Sequence, residues 1–395
     1  MREGGRRLAD VLTQVDRPVA VSSVDSVPYA GVRWYVGGVY EREVVPASMV
    51  KSKSLSRIET GDIVYNRMWA TKASFGVAGD DVDGCLVTND FPAFRADPNQ
   101  AVSDYIGLLF ESKSFQESAA ARATGTTERR RLKEADFLDI TVYLPPLAEQ
   151  RRIVDLIGAV DGAIEAADEV AETTAATYEA ALQTISSSLY PRVTVGDVLL
   201  VAKAGGTPSR KAADYFGAGT PWLKSGEVDN PAIVFAEESI TEAGLRNSSA
   251  WIAPAGSTVV AMYGQGNTKG TAGYLERPMA MNQAVIALVP DTELIDSRML
   301  FHAMRSRTVS LRQKAIGAAQ PNLSKSLVIG EEIGLPERGA QSSLAGTLDS
   351  MLDQSSAATD LATSLRSLRS NLLTALLTSE HEIPASYDVL LEGAA

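Results

Sequence analysis

The polar loop at residues 66–72 brings together side chains that could bind nucleic acid. It follows a strand-like segment, 61–65, and reads Asn-Arg-Met-Trp-Ala-Thr-Lys. A guanidinium and an ammonium suit phosphates and guanine edges, an amide suits adenine, and an indole adds an apolar surface. We therefore predict DNA contacts from Asn66, Arg67, Trp69 and Lys72.

A second basic loop, 124–133, is hinged by Gly125 and contains three consecutive arginines. Thr126, Arg129 and Arg130 are its predicted DNA contacts. The composition leaves one alternative open for both loops: a surface hairpin with a packed Trp69 and a solvated run of arginines.

The second half of the chain contains loops of similar character. Residues 205–209 read Gly-Gly-Thr-Pro-Ser, and residues 264–270 follow a strand-like segment that matches 61–68. The run at 264–270 lacks the Gly-Lys-Ser/Thr ending of a P-loop and is not a dinucleotide-binding GxGxxG, so we interpret it as a polar loop after a strand. The predicted DNA contacts in this half are Thr207, Ser209, Lys224, Gln265, Asn267, Lys269, Gln320 and Asn322.

The scarcity of histidine and cysteine argues against catalysis by this chain. His302 and His381 are the two histidines, and Cys85 is the one cysteine. A catalytic triad, a histidine metal site or a general-base histidine would each require one of these two histidines. We therefore predict a chain that is not an enzyme and has no catalytic, cofactor-binding or metal-binding residues of its own.

Two long helices are predicted to position the loops. From Ile153 to Leu189, apolar or small residues recur at alternating steps of four and three, which is the seam of a coiled coil. A helix from Leu147 to Leu189 would be roughly 65 Å long at about 1.5 Å per residue, so it needs a partner helix. The partner is predicted in the same chain, because the pattern returns 191 residues later, where Leu335-Pro336 echoes Leu144-Pro145.

The single period indicates a duplicated architecture. We predict an α+β chain with two globular α/β domains, pseudo-two-fold duplicated and separated by two long antiparallel coiled-coil helices. The predicted boundaries are 1–143 and 191–334 for the two domains, 144–190 and 335–378 for the helices, and 379–395 for a C-terminal tail. Within the first domain, Val19–Val24, Arg33–Tyr40, Asp62–Tyr65 and Gly84–Thr88 are predicted strands, and Ala101–Ala123 is a predicted helix.

The charge distribution refines what the net charge of −12 implies. Residues 141–190 have a net charge of −6 and residues 335–395 a net charge of −5, so eleven of the twelve excess negative charges lie in the helical segments. The globular segments are near neutral and can carry local basic faces. The absence of a long apolar run or a signal-peptide core predicts a soluble, cytoplasmic protein.

Several motifs, taken in order, resemble a known family. The opening Leu-Pro-Pro-Leu-Ala-Glu-Gln-Arg-Arg-Ile-Val at 144–154 resembles the first conserved helix of type I restriction–modification specificity subunits. Tyr-Asn-Arg-Met-Trp at 65–69 resembles one class of their target-recognition domains. Another class is resembled by motifs at 205–209, 221–227, 247–250, 282–284 and 320–324. The start of the second helix, 335–338, departs from the pattern and is expected to lack the Pro-Pro-Leu and Glu-Gln elements.

This resemblance implies a DNA-binding subunit without catalysis of its own. Each domain would recognise half of a split DNA sequence through the major groove, and the helices would fix the spacing and bind two methyltransferase subunits. S-adenosylmethionine is then expected in those partners, and ATP and magnesium in a motor-nuclease subunit that joins them. Two other classes of function remain. One is a coiled-coil structural adaptor with two protein-binding heads. The other is a fused modification enzyme, for which Asn-Asp-Phe-Pro at 89–92 lacks the paired prolines of an amino-methyltransferase motif.

Overall fold

The structure, a computed structural model, describes residues 5–125, 130–185, 189–264, 268–316, 322–378 and 380–389. The chain divides into two compact units. Unit 1 contains residues 1–165 and 362–395, and unit 2 contains residues 166–361. Both long helices therefore contribute to both units.

The described residues form helices of two kinds, short ones inside the globular parts and two long ones. They are α1 (Ser103–Glu111), α2 (Lys113–Arg122), α3 (Glu134–Leu138), α4 (Leu147–Ile185), α5 (Glu242–Arg246), α6 (Ser297–Ser306), α7 (Thr308–Ile316), α8 (Lys325–Ile329) and α9 (Arg338–Leu377).

The strands are short. In chain order they are β1 (Gly5–Arg7), β2 (Leu12–Val15), β3 (Pro18–Ala20), β4 (Ser26–Val32), β5 (Val39–Pro46), β6 (Ser54–Arg57), β7 (Ile63–Tyr65), β8 (Phe75–Val77), β9 (Leu86–Val87), β10 (Ala93–Ala96), β11 (Thr141–Tyr143), β12 (Arg192–Thr194), β13 (Leu199–Ala204), β14 (Phe216–Leu223), β15 (Glu238–Ile240), β16 (Thr258–Ala261), β17 (Ala272–Tyr274), β18 (Ala280–Met281), β19 (Val285–Pro290) and β20 (Glu332–Gly334).

The sheet topology confirms the duplication. Unit 1 has a four-stranded sheet in the order β2-β10-β7-β8, and unit 2 has one in the order β13-β19-β16-β17. All strand pairs in both sheets are antiparallel. Elements β11, α3 and α4 begin 191 residues before β20, α8 and α9. Each unit also has an antiparallel two-stranded sheet, β1-β11 in unit 1 and β12-β20 in unit 2. The units differ in one further sheet, which is a five-stranded β3-β6-β9-β4-β5 sheet in unit 1 and a three-stranded β15-β14-β18 sheet in unit 2.

Each unit has its own apolar core against its helical segments. The core of unit 1 is rich in aromatic rings, with Tyr65 stacked on Phe137 at a centroid distance of 4.6 Å. The core of unit 2 joins α6 and α7 to residues such as Tyr178 and Leu348 of the long helices. Burial of these surfaces stabilises each unit by roughly 25 cal/mol per Å² of apolar area.

The predicted antiparallel pairing is confirmed inside each unit. In unit 1 the Arg369 guanidinium of α9 pairs with Asp161 of α4. In unit 2 the Ser355 hydroxyl of α9 donates to the Ala171 carbonyl of α4 at 3.1 Å. The predicted α4 seam from Ile153 to Ile185 is largely buried, but α4 ends at Ile185 and Leu189 is exposed.

In α9, small residues take buried positions near 358–361, where the apolar spacing of the sequence is less regular. Leu361 is exposed, whereas Ala358 and Ala362 are buried. The buried face of α9 therefore carries alanine at these two positions, and Leu361 lies on its exposed face.

The second helix start keeps the glutamine of the Glu-Gln element, although Ala340 replaces the glutamate. Gln341 lies 191 residues after Gln150, and both side chains are fully buried. Gln150 bonds to the Val102 amide at 2.9 Å and to the Pro145 carbonyl at 2.8 Å. Gln341 makes the equivalent bonds to the Asp296 amide at 2.7 Å and the Pro336 carbonyl at 2.9 Å. Both helix starts are thus fixed to their units in one way.

We expect Gln341→Ala to destabilise unit 2 by about 2 kcal/mol, because it leaves the buried Pro336 carbonyl and the part-buried Asp296 amide and Leu294 carbonyl without this partner. The measurement is the urea midpoint and slope of unfolding. Gln354→Ala, at an exposed position of the same helix, is the control and should leave the midpoint nearly unchanged. Equal midpoints for the two variants would contradict the role given to Gln341.

Three local predictions need correction. Arg33–Tyr40 is not a strand, because β4 ends at Val32 and β5 begins at Val39, with Tyr35 and Val36 at a φ of +56° between them. Ala101–Ala123 is two helices, and the Ser112 hydroxyl between them accepts the Phe115 amide at 3.3 Å. Val19–Val24 is a strand only to Ala20, after which it forms a turn of 3-10 helix.

The C-terminal tail packs on unit 1. The Arg152 guanidinium makes two bonds of 2.7 Å to the Asp388 carboxylate. Ile383 is buried in the core of unit 1, and Tyr387 packs against that core. The bidentate pair fixes the tail to the first turns of α4. Over the described residues, no helix combines the length and apolar character needed to cross a membrane.

Candidate nucleic-acid interface

The loop at residues 66–74 in unit 1 is held in one shape by its own side chains. The Asn66 amide oxygen accepts the Met68 N–H at 3.0 Å, and the Asn66 N–H bonds to the Ser74 carbonyl at 3.0 Å. Asn66 therefore shapes the loop in addition to any contact it makes with DNA. Trp69 is half-exposed, and Lys72 is exposed at the end of the loop.

Arg67 is more enclosed than a surface arginine. Its guanidinium forms an ion pair with Glu134 at the start of α3. Its Nε atom is buried and has no hydrogen-bond partner within the described part of the chain. An unpartnered buried donor costs about 1–3 kcal/mol. A hydrogen-bond acceptor on a ligand that reached the Arg67 Nε–H would remove this cost.

The second basic loop meets the first. The Leu132 N–H donates to the Arg67 carbonyl at 3.0 Å, and Leu132 is fully buried. Arg130 turns inward, and its guanidinium donates to the Ala120 and Ala123 carbonyls at 2.8 Å. Arg130 thus caps the C-terminal end of α2, a role that its position in a basic loop did not reveal. Thr126 and Arg129 lie outside the described residues.

The equivalent loops meet in unit 2. Leu323, which lies 191 residues after Leu132, is buried, and its N–H donates to the Met262 carbonyl at 3.1 Å. Met262 follows β16 as Asn66 follows β7. Asn322 is exposed beside this contact, and the Lys269 carbonyl accepts the Arg312 Nε–H at 2.9 Å. Gln265, Asn267 and Gln320 are outside the described residues.

A close approach explains the paired glycines of unit 2. A Cβ atom on Gly205 would lie 2.1 Å from the Met281 carbonyl oxygen, and one on Gly206 would lie 2.5 Å from the Ala250 nitrogen. The Trp222 indole donates to the Gly206 carbonyl at 3.0 Å. Four motifs that are separate in sequence, at 205–209, 221–227, 247–250 and 282–284, therefore pack together, and only glycine fits at their centre.

The polar residues around these glycines have different exposure. The Thr207 hydroxyl donates to Gln283, and Ser209 is exposed. The Lys224 ammonium is 2.6 Å from Glu237 and 3.4 Å from Glu238, and its hydrogen bond to Glu237 raises the pKa of Lys224. Glu238 also binds Arg210 at 2.6 Å. Lys224 is therefore shared between two carboxylates, so a phosphate would have to compete for it.

The buried histidine belongs to a structural chain of hydrogen bonds in unit 2. The His302 Nδ1 atom is 3.0 Å from the Tyr178 hydroxyl, and Nε2 is 2.9 Å from an Asp349 oxygen. Burial lowers the pKa of His302 even though Asp349 opposes the shift. Burial alone would raise the pKa of Asp349, but hydrogen bonds from His302 and Arg298 outweigh it and hold the pKa at about 2. A neutral histidine thus links α6 to both long helices.

Within the described ranges, no cluster of possible metal ligands is present, and the segment at 89–92 makes packing contacts. The described residues include no group of three or more His, Cys, Asp or Glu side chains that could hold a metal ion. In the Asn-Asp-Phe-Pro segment, the Asp90 carboxylate lies 3.5 Å from Arg131 and the Pro92 carbonyl accepts the Tyr65 N–H at 3.4 Å. These contacts assign the segment to loop packing.

One exposed group was missed from the sequence. Trp34 packs on Trp69 with ring centroids 5.0 Å apart, and Tyr35 extends beside it at the tip of the β4–β5 hairpin. The predicted strand over 33–40 concealed this tip. The pair Gly37-Gly38 was the available turn signal, and Gly38 has a φ of +82°.

The fold and these loops define a class of protein: a duplicated mixed α/β chain that presents one arrangement of polar loops twice and shares two long helices between its units. Comparison with known families gives this class a name. The chain belongs to the family described as the type I restriction modification DNA specificity domain, whose model matches residues 28–172 and 189–361. Membership favours a DNA-specificity role over the adaptor alternative.

Individual relatives are distant. A stretch of 152 residues is 26% identical to the type I restriction enzyme MjaIX specificity subunit of Methanocaldococcus jannaschii. That match covers 36% of this chain and 34% of the relative, so the chain spans about a third of the length of that curated protein.

Solved structures share the fold over nearly the whole chain. The type I restriction–modification S subunit of M. genitalium is 14% identical, with 94% of this chain and 95% of that one covered and a TM-score of 0.60. A chain from a study of complex assembly and conformational transition of the type I R-M system is 17% identical, with coverages of 95% and 98% and a TM-score of 0.55. Both likenesses concern the fold.

Proposed function

We propose that this chain is the non-catalytic specificity subunit of a type I restriction–modification complex and that each unit recognises half of a bipartite DNA sequence. The observation that carries the proposal is the recurrence, in both units, of a loop after a central strand that meets the loop before the long helix. Two equivalent ligand surfaces on one chain suit two half-sites on one duplex. A role on chromosomal DNA would place the complex in the cytoplasm.

We further propose that the long helices fix the gap between the half-sites and bind two methyltransferase subunits. The segments 141–190 and 335–395 contain nearly all of the excess negative charge, so their exposed faces repel DNA phosphates and leave phosphate contacts to the globular parts. The cofactor S-adenosylmethionine would reside in the methyltransferase subunits, and ATP and magnesium in a motor-nuclease subunit.

Methylation mapping tests this function. A host that carries the chain with its methyltransferase should show methylation at one bipartite sequence, and deletion of this chain should abolish it. The purified complex should bind that sequence with a log–log salt slope of about −0.9 per phosphate contact. Methylation that persists without the chain, or binding without sequence preference, would refute the proposal.

We expect the purified chain alone to be inert towards target DNA in the presence of S-adenosylmethionine, ATP and magnesium. The reason is the lack of a cofactor loop in the sequence and of a metal-ligand cluster among the described residues. Methyl transfer to DNA and strand cleavage are the measured activities, and the complete complex is the positive control. Methyl transfer by the isolated chain would favour the fused-enzyme alternative.

Alanine substitution tests the predicted contacts. We expect Lys72→Ala to weaken binding to all DNA sequences and to reduce the salt slope by about one, because an exposed lysine contacts phosphate. Alanine at a base-contacting residue should instead cost about 1–3 kcal/mol of binding free energy at one base position. Lys51→Ala, at another exposed lysine of unit 1, is the control. Variants of Arg67, Arg130 and Lys224 also need an unfolding measurement, since these side chains make internal contacts. Unchanged specific affinity across the set would disprove the assignment.

A further inference from the structure

The tip of the β4–β5 hairpin carries an exposed aromatic surface. Trp34 is 46% exposed, Tyr35 73% and Trp69 38%. By contrast, unit 1 packs the rings of its core, such as Phe75 and Phe94, out of reach of solvent. A group of large apolar side chains exposed to water indicates an interaction site.

The backbone under this surface is fixed and strained. The Tyr35 N–H donates to the Lys72 carbonyl and the Val36 N–H to the Ala73 carbonyl, both at 2.8 Å. Tyr35, Val36 and Ala73 have φ values of +56°, +56° and +51°. A left-handed conformation at a residue other than glycine is strained and is concentrated at ligand clamps and active sites. The hairpin tip and the 66–74 loop thus form one preorganised surface.

The ring geometry favours one mode of contact with a base. Trp34 and Trp69 are 5.0 Å apart between centroids and tilted by 45°, so each ring covers part of a face of the other. A wedge between base pairs needs a ring with both faces open. These rings instead offer apolar edges, which suit contact with the 5-methyl group of thymine in the major groove.

The charge of the surface suits DNA. Residues 33–38 and 66–73 contain no acidic residue, and their cations are Arg33, Lys72 and Arg67, of which Arg67 is already paired with Glu134. Arg33 and Lys72 are exposed, and the Arg33 guanidinium lies 4.1 Å from the centroid of the Tyr40 ring. Cations next to the exposed aromatic side chains could bind the phosphates that flank a base in the groove. The same surface includes the 66–74 loop, which carries Asn66.

We propose that Trp34 and Tyr35, together with Trp69, contact a thymine methyl group in the half-site recognised by unit 1. This inference rests on the proposed function, because it assumes that unit 1 binds DNA. It adds two residues and the chemical group that they recognise. The contact would give specificity for thymine over cytosine without a hydrogen bond.

The test is a thermodynamic cycle between protein and DNA. The methyltransferase complex containing the chain is titrated with duplexes in which each thymine of the half-site, on either strand, is replaced in turn by deoxyuridine. Loss of one buried methyl group corresponds to about 0.8 kcal/mol, or roughly a fourfold loss of affinity, and we expect it at one position with the natural chain. Complexes with Trp34→Ala or Tyr35→Ala should bind the thymine and deoxyuridine duplexes equally.

Two controls keep the outcomes separate. Met49→Ala, at an exposed apolar residue of unit 1 outside the hairpin tip, should retain the fourfold effect, and Trp34→Phe should retain part of it. The inference is overturned if no deoxyuridine position matters, if the alanine variants keep the same effect, or if they lose binding to the methyltransferase subunits instead. Failure of the natural complex to bind its site at all would refute the proposed function itself.

Discussion

Four residues inserted at facing positions of both long helices should produce a complex that recognises the same two half-sequences with a wider gap between them. Four residues lengthen a helix by about 6 Å, close to two base-pair steps of about 3.4 Å. An insertion of four acts as a stutter, which changes the local winding of a coiled coil without ending its seam. Methylation mapping of the variant measures the gap directly.

The structure determines where the two insertions belong. The repeat offset pairs Ala171 with Ala362, but in the antiparallel pair the residue facing Ala171 is Ser355, through a 3.1 Å hydrogen bond. Insertions after Ala171 and beside Ser355 therefore keep the flanking helix segments in register. The same four residues after Ser52, in an exposed segment of unit 1, are the control and should leave the gap unchanged. A natural gap in the doubly lengthened protein would mean that the globular parts fix the spacing.

Asp349→Asn should destabilise unit 2 by about 3 kcal/mol. The Arg298 guanidinium lies 2.9 Å from both oxygens of Asp349 and also donates to the Pro231 carbonyl at 2.7 Å. Removing Asp349 leaves a largely enclosed cation with the more distant Glu276 carboxylate, 3.9 Å away, as an ion-pair partner. Breaking a fully buried pair costs about 3–5 kcal/mol, and we expect the lower end of that range here, because both side chains keep some contact with water. The measurement is chemical unfolding followed by a probe in unit 2.

Asp353→Asn, four residues further along the same helix and exposed, is the matched control for this loss. It changes the same charge but should alter the free energy of unfolding by less than about 0.5 kcal/mol. A second comparison uses Arg298→Met together with Asp349→Asn, which removes the cation as well as the carboxylate and keeps an oxygen that can accept the His302 Nε2–H. That double variant should be more stable than Asp349→Asn alone, because no unpaired charge remains. Equal stability of Asp349→Asn and Asp353→Asn would show that the ion pair contributes nothing.

The architecture was predictable because the spacing of apolar residues along the helices, and the 191-residue repeat, remain visible although the two halves differ in most residues. Burial at Ile153, Ile157 and Leu182 follows the four–three spacing, and the helix starts at Leu147 and Arg338 keep the 191-residue offset. The period is set by which side of a helix meets its partner, and this physical constraint is visible in one sequence. The strand after Gly61 was also predictable, because a short apolar run follows a glycine in the sequence. In the structure this run is buried, and Gly61 has a φ of +82°.

The details of the site were not predictable, because side-chain partners come from distant segments. Arg67 meets Glu134, and Lys224 meets Glu237 and Glu238. Nothing in a local cluster of basic residues distinguishes a cation facing solvent from one held by a carboxylate elsewhere in the chain. The hairpin tip was missed because two left-handed residues other than glycine, Tyr35 and Val36, form its turn, and their types favour a strand.

The discontinuity of unit 1 has a consequence for biosynthesis. Unit 2 is one continuous segment, 166–361, whereas unit 1 needs residues 362–395 to complete its core with Leu373, Leu376 and Ile383. A ribosome therefore synthesises every residue of unit 2 before it synthesises the part of α9 that belongs to unit 1. We expect nascent chains in which residue 361 has just left the ribosome exit tunnel to carry a protease-resistant unit 2 and an incomplete unit 1. The part of the protein that is translated first then acquires its native packing last.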